Sequence, residues 1–318
     1  MDQIAAQLRA IPDLLVRENE PLRLHTRFGI GGPAALFADC ATEDAFATAM
    51  RAASLAQIPL TVIGGGSNLV VSDKGLDGVV IRYRAESIRA DGLHLHADAG
   101  AELQTLVDFS IAQGLKGLET MTGIPGWVGA AIYGNAGAYG HSISERVHHI
   151  RFWDGESIRE FPNAECQFAY RESIFKRHKA WIIFSAELLM DRADPSDLRR
   201  IAEEIRQIRD AKYPPSMKCA GSIFKNCLFA QLPAAAAAEV PPHVVREGKV
   251  PSAWFLEQVG AKGMRRGHIH VADYHANLVY NAGAGAAADL CALIAELKQK
   301  VRARFGFDLE EEVQYVGF

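Results

Sequence analysis

The sequence predicts an α+β protein with more than one domain. Strand-like, helical and glycine-turn segments are mixed along the whole chain. The dinucleotide fingerprint GxGxxG does not occur in a strand–turn–helix context, which argues against a doubly wound nucleotide fold. At 318 residues the chain also exceeds the usual extent of one hydrophobic core. A chain of 34.7 kDa exposes roughly 13,000 Å² when folded against roughly 50,000 Å² unfolded, so it needs no disulfide or metal to hold a core together.

The elements follow in order. Residues 2–15 alternate charge with apolar residues and predict a short amphipathic helix, and the alanine-rich stretch 43–57 predicts another, capped by Thr42. LTVIGGGSNLVV at 60–71 reads as strand, glycine turn, strand. Short alternating segments over 78–99 split at Asp91–Gly92, a hairpin signal. A helix over 101–113 stops at Gly114, and 116–140 then carries glycine at 117, 123, 126, 129, 134, 137 and 140 with no strict period. That spacing excludes collagen and solenoid readings. It allows backbone amides to converge on a bulky polar ligand. Strands return over 147–190. Asp194 and Pro195 start a helix whose Ile201, Ile205 and Ile208 share a face and which must break before Pro214–Pro215. A domain boundary falls in 190–215, the alanine tract 234–238 reads as helix or surface loop, and 286–304 forms an amphipathic helix ahead of a final strand.

Composition limits the function classes. Hydrophobic residues are 49% and charged residues 23%, as in an ordered globule. A formal charge of -4 gives no general attraction to nucleic acid or anionic membrane. The cysteines, Cys40, Cys166, Cys219, Cys227 and Cys291, form no CxxC pair and read as reduced, mostly buried thiols. The start lacks a signal-peptide pattern and no apolar stretch is long enough to span a bilayer. The expectation is a cytoplasmic protein with no nucleic-acid, membrane or obligate protein partner.

GGGSN lacks the GKS/T ending of a P-loop, yet with the 116–140 segment it makes two glycine-rich turns suited to a phosphate-bearing cofactor. His94 with His96, and His268 with His270, are HxH pairs whose rings leave one strand face, but no carboxylate pattern accompanies them, so no metal is assigned. Trp127, Trp153, Trp181 and Trp254 are scattered and read as packing residues. Three polar segments remain: FAYRES with Tyr170, Arg171 and Ser173; AGSIFKN with Ser222, Lys225 and Asn226; and LEEEVQYVG with Glu310, Glu311 and Glu312. Read alone, they are a surface arginine, a turn serine and a charged strand start.

Seven motifs taken in order resemble the UDP-N-acetylenolpyruvoylglucosamine reductase family of peptidoglycan synthesis. They are HTRFGIGGPA at 25–34, IGGGSNLVVSD at 63–73, GLETMTGIPGWVGAAIYGNAGAYG at 117–140, FAYRES at 168–173, AGSIFKN at 220–226, HANLVYN at 275–281 and LEEEVQYVG at 309–317. The resemblance runs from about residue 20 to the end. It implies an FAD-binding fold of the vanillyl-alcohol-oxidase/p-cresol-methylhydroxylase (PCMH) type plus a small α+β substrate domain. It divides the chain at 1–75 (completed by about 305–318), 76–205 and 206–304. It also implies non-covalent FAD, NADPH as hydride donor, and reduction of UDP-N-acetylglucosamine enolpyruvate to UDP-N-acetylmuramate. Only 51 positions separate Arg171 from Ser222, which resembles the shorter type II form.

By the same resemblance, Arg171, Ser222 and Glu312 are the catalytic residues. Gly64, Gly65, Gly66, Ser67, Asn68 and Leu69 cradle the FAD diphosphate. Thr26, Thr122, Gly123, Gly126, Gly129 and Ile132 complete the cofactor site, and Tyr170, Lys212, Lys225 and Asn226 contact the substrate. The sequence departs from the family pattern at Cys227, at 267–275 and at Tyr133–Gly134. A flavin oxidase for another polar substrate and a non-enzymatic flavin- or UDP-sugar-binding module are the competing readings, both disfavoured by the intact Arg171, Ser222 and Glu312.

Overall fold

A computed structural model describes residues 1–318, and the chain divides into two compact units. The first comprises Met1–Glu20, Ala34–Gly65 and Asp77–Ala211; the second comprises Pro21–Pro33, Gly66–Leu76 and Lys212–Phe318.

Besides two short two-stranded sheets, the first unit contains two large ones. One is four-stranded, in the order Leu14–Pro21, Pro33–Cys40, Leu76–Tyr83, Leu60–Val62. The other is five-stranded and antiparallel, in the order Ile158–Pro162, Val147–Trp153, Ile182–Leu189, His94–Asp98, Ile88–Asp91. Alternation decides which face is buried. Leu95 and Ala97 point inward between exposed or half-buried His94, His96 and Asp98, and Ala186 and Leu188 do the same on the neighbouring strand. Phe46 of helix Glu43–Leu55 meets Phe184 edge-on, with ring centroids 5.4 Å apart, and so ties that helix to the sheet.

The second unit is built on a four-stranded antiparallel sheet: Lys218–Ser222, His275–Asn281, Ile269–Ala272, Arg265–Arg266. Its core includes Phe224, Phe255, Leu290, Leu293, Leu297 and Val301, four of them from helix Ala287–Phe305. The free amides at that helix's start are met from far away in sequence. Asp73 Oδ1 accepts from Ala287 N at 2.9 Å and Oδ2 from Ala288 N at 3.1 Å. Strand Leu69–Val71 pairs in parallel with Gln314–Val316. These bonds place 66–76 with the C-terminal half, and Asn281 Nδ2, which donates to Phe28 O at 2.9 Å, ties 21–33 to it as well.

Several local expectations hold. Thr42 Oγ1 accepts from Ala45 N at 3.3 Å at the start of helix Glu43–Leu55. Ile88–Asp91 and His94–Asp98 form the hairpin through Gly92. The 101–113 helix is Leu103–Ala112, and the next long helix is Pro195–Lys212. Burial raises the thiol pKa of Cys40 to about 11 and of Cys166 to about 12, so both stay protonated.

Other expectations change. The first helix ends at Arg9 rather than 15, because Pro12 and the left-handed Asp13 (φ 60°) turn the chain into strand Leu14–Pro21. In helix Pro195–Lys212 the buried stripe is Leu198, Ala202 and Ile205, while Ile208 is 57% exposed. The packing partners, which the helical period alone does not reveal, select that stripe.

One buried ion pair orders the four-stranded sheet. Asp39 accepts from Arg82 Nε at 2.7 Å and Nη2 at 3.0 Å, and from Arg17 Nη2 at 2.5 Å. The Arg82 guanidinium also lies 4.8 Å from the Phe37 ring centroid. Removing one partner of a buried pair strands the other charge, so Asp39→Ala is expected to cost about 3–5 kcal/mol. Glu18→Ala, which removes only the exposed Arg9 pair, is expected to cost about 0–1 kcal/mol. Urea unfolding of the two variants side by side checks this; equal losses would contradict the assignment.

Candidate active site

The IGGGSN turn is shaped by a backbone constraint at Gly66. Its φ is +66°, and a Cβ at that position would collide with the His25 carbonyl oxygen. The facing loop is closed by Thr26, whose Oγ1 accepts from Ile30 N at 3.2 Å and donates to Ile30 O at 2.8 Å. Arg27 N donates to Gly66 O at 3.1 Å. No backbone acceptor within the chain meets the amides of Gly64, Gly65 or Ser67. A turn that offers donors in this way suits a diphosphate. Asn68 and Leu69 are used differently. Asn68 Nδ2 donates to Glu312 O at 2.8 Å, Asn68 O accepts from Gln314 N at 2.9 Å, and Leu69 begins the strand paired with Gln314–Val316.

The glycine-rich segment 117–140 is also partly engaged by its own chain. Thr122 Oγ1 donates to Glu119 O at 2.8 Å, Gly123 N donates to Gln104 Oε1 at 2.7 Å, and Gly126 O accepts from Leu103 N at 2.9 Å. Gly129 N donates to Ala99 O at 2.9 Å, and a Cβ on Gly129 would lie 2.7 Å from the Ala99 Cβ. Ile132 is fully buried in the core. Glycine at 129 is therefore required for internal packing, whatever ligand the segment also meets.

Arg171 occupies a strained turn. Ala169 and Glu172 exchange backbone hydrogen bonds of 3.0 and 3.1 Å, leaving Tyr170 and Arg171 at the tip, and Arg171 has φ +57°. A left-handed non-glycine residue costs roughly 1–2 kcal/mol, and the surroundings hold it there. Lys176 Nζ donates to Arg171 O, and Arg171 Nη2 donates to Gly137 O, both at 2.9 Å. Asn135 Nδ2 donates to Ala169 O at 2.9 Å, so the glycine-rich segment and the arginine turn support each other. The guanidinium lies 5.3 Å from the Tyr170 ring centroid. Ser173 is a helix cap: it is buried, accepts from Lys176 N and donates to Tyr133 O.

Ser222 lies at a β-bulge. Pairing between Lys218–Ser222 and His275–Asn281 shifts between Cys219 and Ser222, where Gly221 has φ +75°. Ser222 Oγ is 3.2 Å from the Tyr213 hydroxyl. Glu312 is near Ser222 through the backbone, since Glu312 N donates to Ile223 O at 2.7 Å. Lys225, buried, is ion-paired with Glu310, and Glu311 pairs with Lys298 at 2.9 Å. The three consecutive glutamates thus have separate surroundings. Lys212 Nζ lies 5.1 Å from the Tyr213 ring centroid, and Asn226 is exposed. Arg171 and Tyr170 belong to the first unit; Ser222, Glu312, Lys212, Lys225 and Asn226 belong to the second.

Known proteins resemble this chain along its length. Residues 34–157 match the profile of an FAD binding domain, and residues 213–316 match the C-terminal domain of UDP-N-acetylenolpyruvoylglucosamine reductase. A UDP-N-acetylenolpyruvoylglucosamine reductase of Solibacter usitatus is 61% identical, with 98% of this chain and 100% of that protein aligned. One of Bacillus subtilis is 32% identical, with 100% of this chain and 99% of that protein aligned. The crystal structure of the Thermus caldophilus reductase superposes with a TM-score of 0.73 at 26% identity, covering 95% of this chain and 98% of that one. No helix is long and apolar enough to cross a membrane.

His275 provides a pH test of the Ser222 neighbourhood. Its ring is 6.3 Å from that of Tyr213, and its Nδ1 accepts from Asn277 N at 3.2 Å. Burial, and then the nearby Lys212 cation, lower its pKa from 6.5 to about 4. The unfolded chain therefore binds a proton between pH 6.5 and 4 that the folded chain does not. Stability is expected to be full above pH 6.5 and to fall toward pH 4, with a shallower decline in His275→Gln. Denaturant unfolding across that range measures it; identical slopes in both proteins would remove His275 as the cause.

Proposed function

The chain belongs to the UDP-N-acetylenolpyruvoylglucosamine reductase family, and on that premise we propose that it reduces UDP-N-acetylglucosamine enolpyruvate to UDP-N-acetylmuramate with NADPH, carrying FAD non-covalently. It is an oxidoreductase with an FAD-binding fold of the PCMH type and a smaller α+β domain. Its proposed place of action is the cytoplasm.

The observation that supports the reading best is the hydroxyl pair Ser222–Tyr213, on a bulge beside the backbone of Glu312. FAD, which the Gly64–Ser67 turn would hold by its diphosphate, would supply the hydride chemistry that links NADPH to C3 of the enolpyruvyl group. The chain's own residues manage the charge and proton that remain. Hydride addition at C3 moves an electron pair through C2 onto the carboxylate. Arg171, held by Gly137 and Lys176, offers a permanently cationic fork to that charge. Ser222 delivers the proton to C2, and Tyr213 hands its own proton on to the serine oxygen. Solvent then reprotonates Tyr213, so each turnover consumes one hydride from NADPH and one proton. Glu312 supports the charge-bearing intermediate by polarising a hydrogen-bond donor toward it, because an ionised carboxylate itself only accepts. Gly64–Ser67 donate backbone amides to the FAD diphosphate, and Lys212, Lys225, Asn226 and Tyr170 contact the nucleotide sugar.

Anaerobic stopped-flow separates the two half-reactions. NADPH is expected to bleach the flavin in wild type and in Ser222→Ala at similar rates. The enolpyruvyl nucleotide is then expected to reoxidise Ser222→Ala about 10²- to 10⁴-fold more slowly. Tyr213→Phe is expected to impair the same second step and spare the first. Equal loss in both half-reactions would contradict the proton-donor role, and absence of bound flavin after reconstitution would sink the whole reading.

A further inference from the structure

The outer face of the five-stranded sheet carries a cluster that the reductase chemistry does not use. His94 and His96 leave the same face of strand His94–Asp98. Glu187, on Ile182–Leu189, stands opposite His96 on one side and opposite His149 on the other. Regular pairing would turn His148 to the reverse face. The register instead shifts between Val147 and His149, and this bulge keeps His148 beside its neighbour. The rings of His148 and His149 meet edge-on with centroids 4.2 Å apart, and His94 lies 5.8 Å from His148.

Ligand atoms of His148, His149 and Glu187 all fall within 4.8 Å of one another. Zinc bonds of about 2.0–2.2 Å in tetrahedral geometry require ligand atoms roughly 3.2–3.5 Å apart. His148, His149 and Glu187 are half-buried, and a bound ion would draw their side chains together across that difference. Glu187 Oε1 is 2.5 Å from His94 Nδ1, and Oε2 is 3.6 Å from His96 Nδ1. The carboxylate is thus oriented from behind, as metal-binding carboxylates commonly are. Neutral imidazoles with one carboxylate form a donor set for zinc, which leaves a fourth position for water.

We propose that His148, His149 and Glu187 form a binding site for a divalent first-row metal ion, with zinc as the expected occupant and His94 orienting Glu187. The ion would join strands Val147–Trp153 and Ile182–Leu189 by side chains where the bulge interrupts their backbone pairing. Its role is to brace the sheet, since none of these residues belongs to the proposed flavin or substrate machinery.

The test uses untagged, full-length, flavin-loaded protein stripped of metal with a chelator and titrated calorimetrically with zinc chloride. One equivalent is expected to bind, and saturating zinc is expected to raise the thermal midpoint. His148→Ala and His149→Ala are each expected to weaken binding at least about 10-fold while retaining flavin absorbance. His141→Ala, at an exposed histidine elsewhere, is the control and is expected to bind as wild type does. Should the alanine variants lose their flavin, Glu187→Gln provides the same comparison with smaller structural change. Cupric ion as a second probe is expected to show two nitrogen couplings by electron paramagnetic resonance in wild type. Absence of saturable zinc binding, or full affinity in a His148→Ala/His149→Ala double variant, would overturn the proposal.

Discussion

The second unit depends on the parallel pairing of Leu69–Val71 with Gln314–Val316. Its strands are far apart in sequence, at 69–71 and 314–316, so the chain entropy lost in joining them must be recovered by contacts across the junction. Asn68 fastens the start of that pairing, with its side chain on the Glu312 carbonyl and its own carbonyl on the Gln314 amide. The glycine turn and the glutamate strand are consequently one structural piece. The Glu312 amide then bonds to Ile223, which carries the linkage to the residue after Ser222. Asp73 extends it to the start of helix Ala287–Phe305.

Irregular backbone aims the side chains proposed for chemistry. Arg171 sits at a left-handed position on a two-residue turn, and Ser222 follows the left-handed Gly221 in a bulge. Each distortion is stabilised nearby: Lys176 and Asn135 brace the arginine turn, and Asn277 meets both backbone polar groups of Phe224 beyond the serine. Regular strands would place these side chains at alternate faces of a sheet. The irregular backbone directs them elsewhere, as is common at functional sites. The same device recurs at His148, where a bulge gathers two adjacent imidazoles onto one face.

Much of this was legible in sequence, but unevenly. Thr42, Gly92 and Pro195 marked their elements because capping and turn chemistry act over a few residues. Motif order identified Arg171, Ser222 and Glu312 as candidates, while their surroundings stayed invisible. Glycine at 129 looked like ligand clearance and proves necessary against Ala99. Ser173, beside Arg171 in FAYRES, caps a helix, a use that its motif does not display. Tyr213 lay nine positions from Ser222, too far for local pattern to join their hydroxyls. The carboxylate of His94 and His96, Glu187, comes from a neighbouring strand and so shows no local pattern with them in sequence.

By itself the sequence determined the α+β class, the positions of most helices and turns, and the family to which the motifs belong. These follow from short-range physics and from motif order, both of which a linear chain displays. Tertiary structure alone decided that 21–33 and 66–76 pack with the C-terminal half, that Asn68 holds the Glu312 strand, and that Glu310, Glu311 and Glu312 have different partners. It also decided which stripe of helix Pro195–Lys212 is buried and which histidines share a carboxylate. Each of these depends on a partner tens to hundreds of residues away. Sheet pairing and core packing choose that partner, and neither can be read from local propensity.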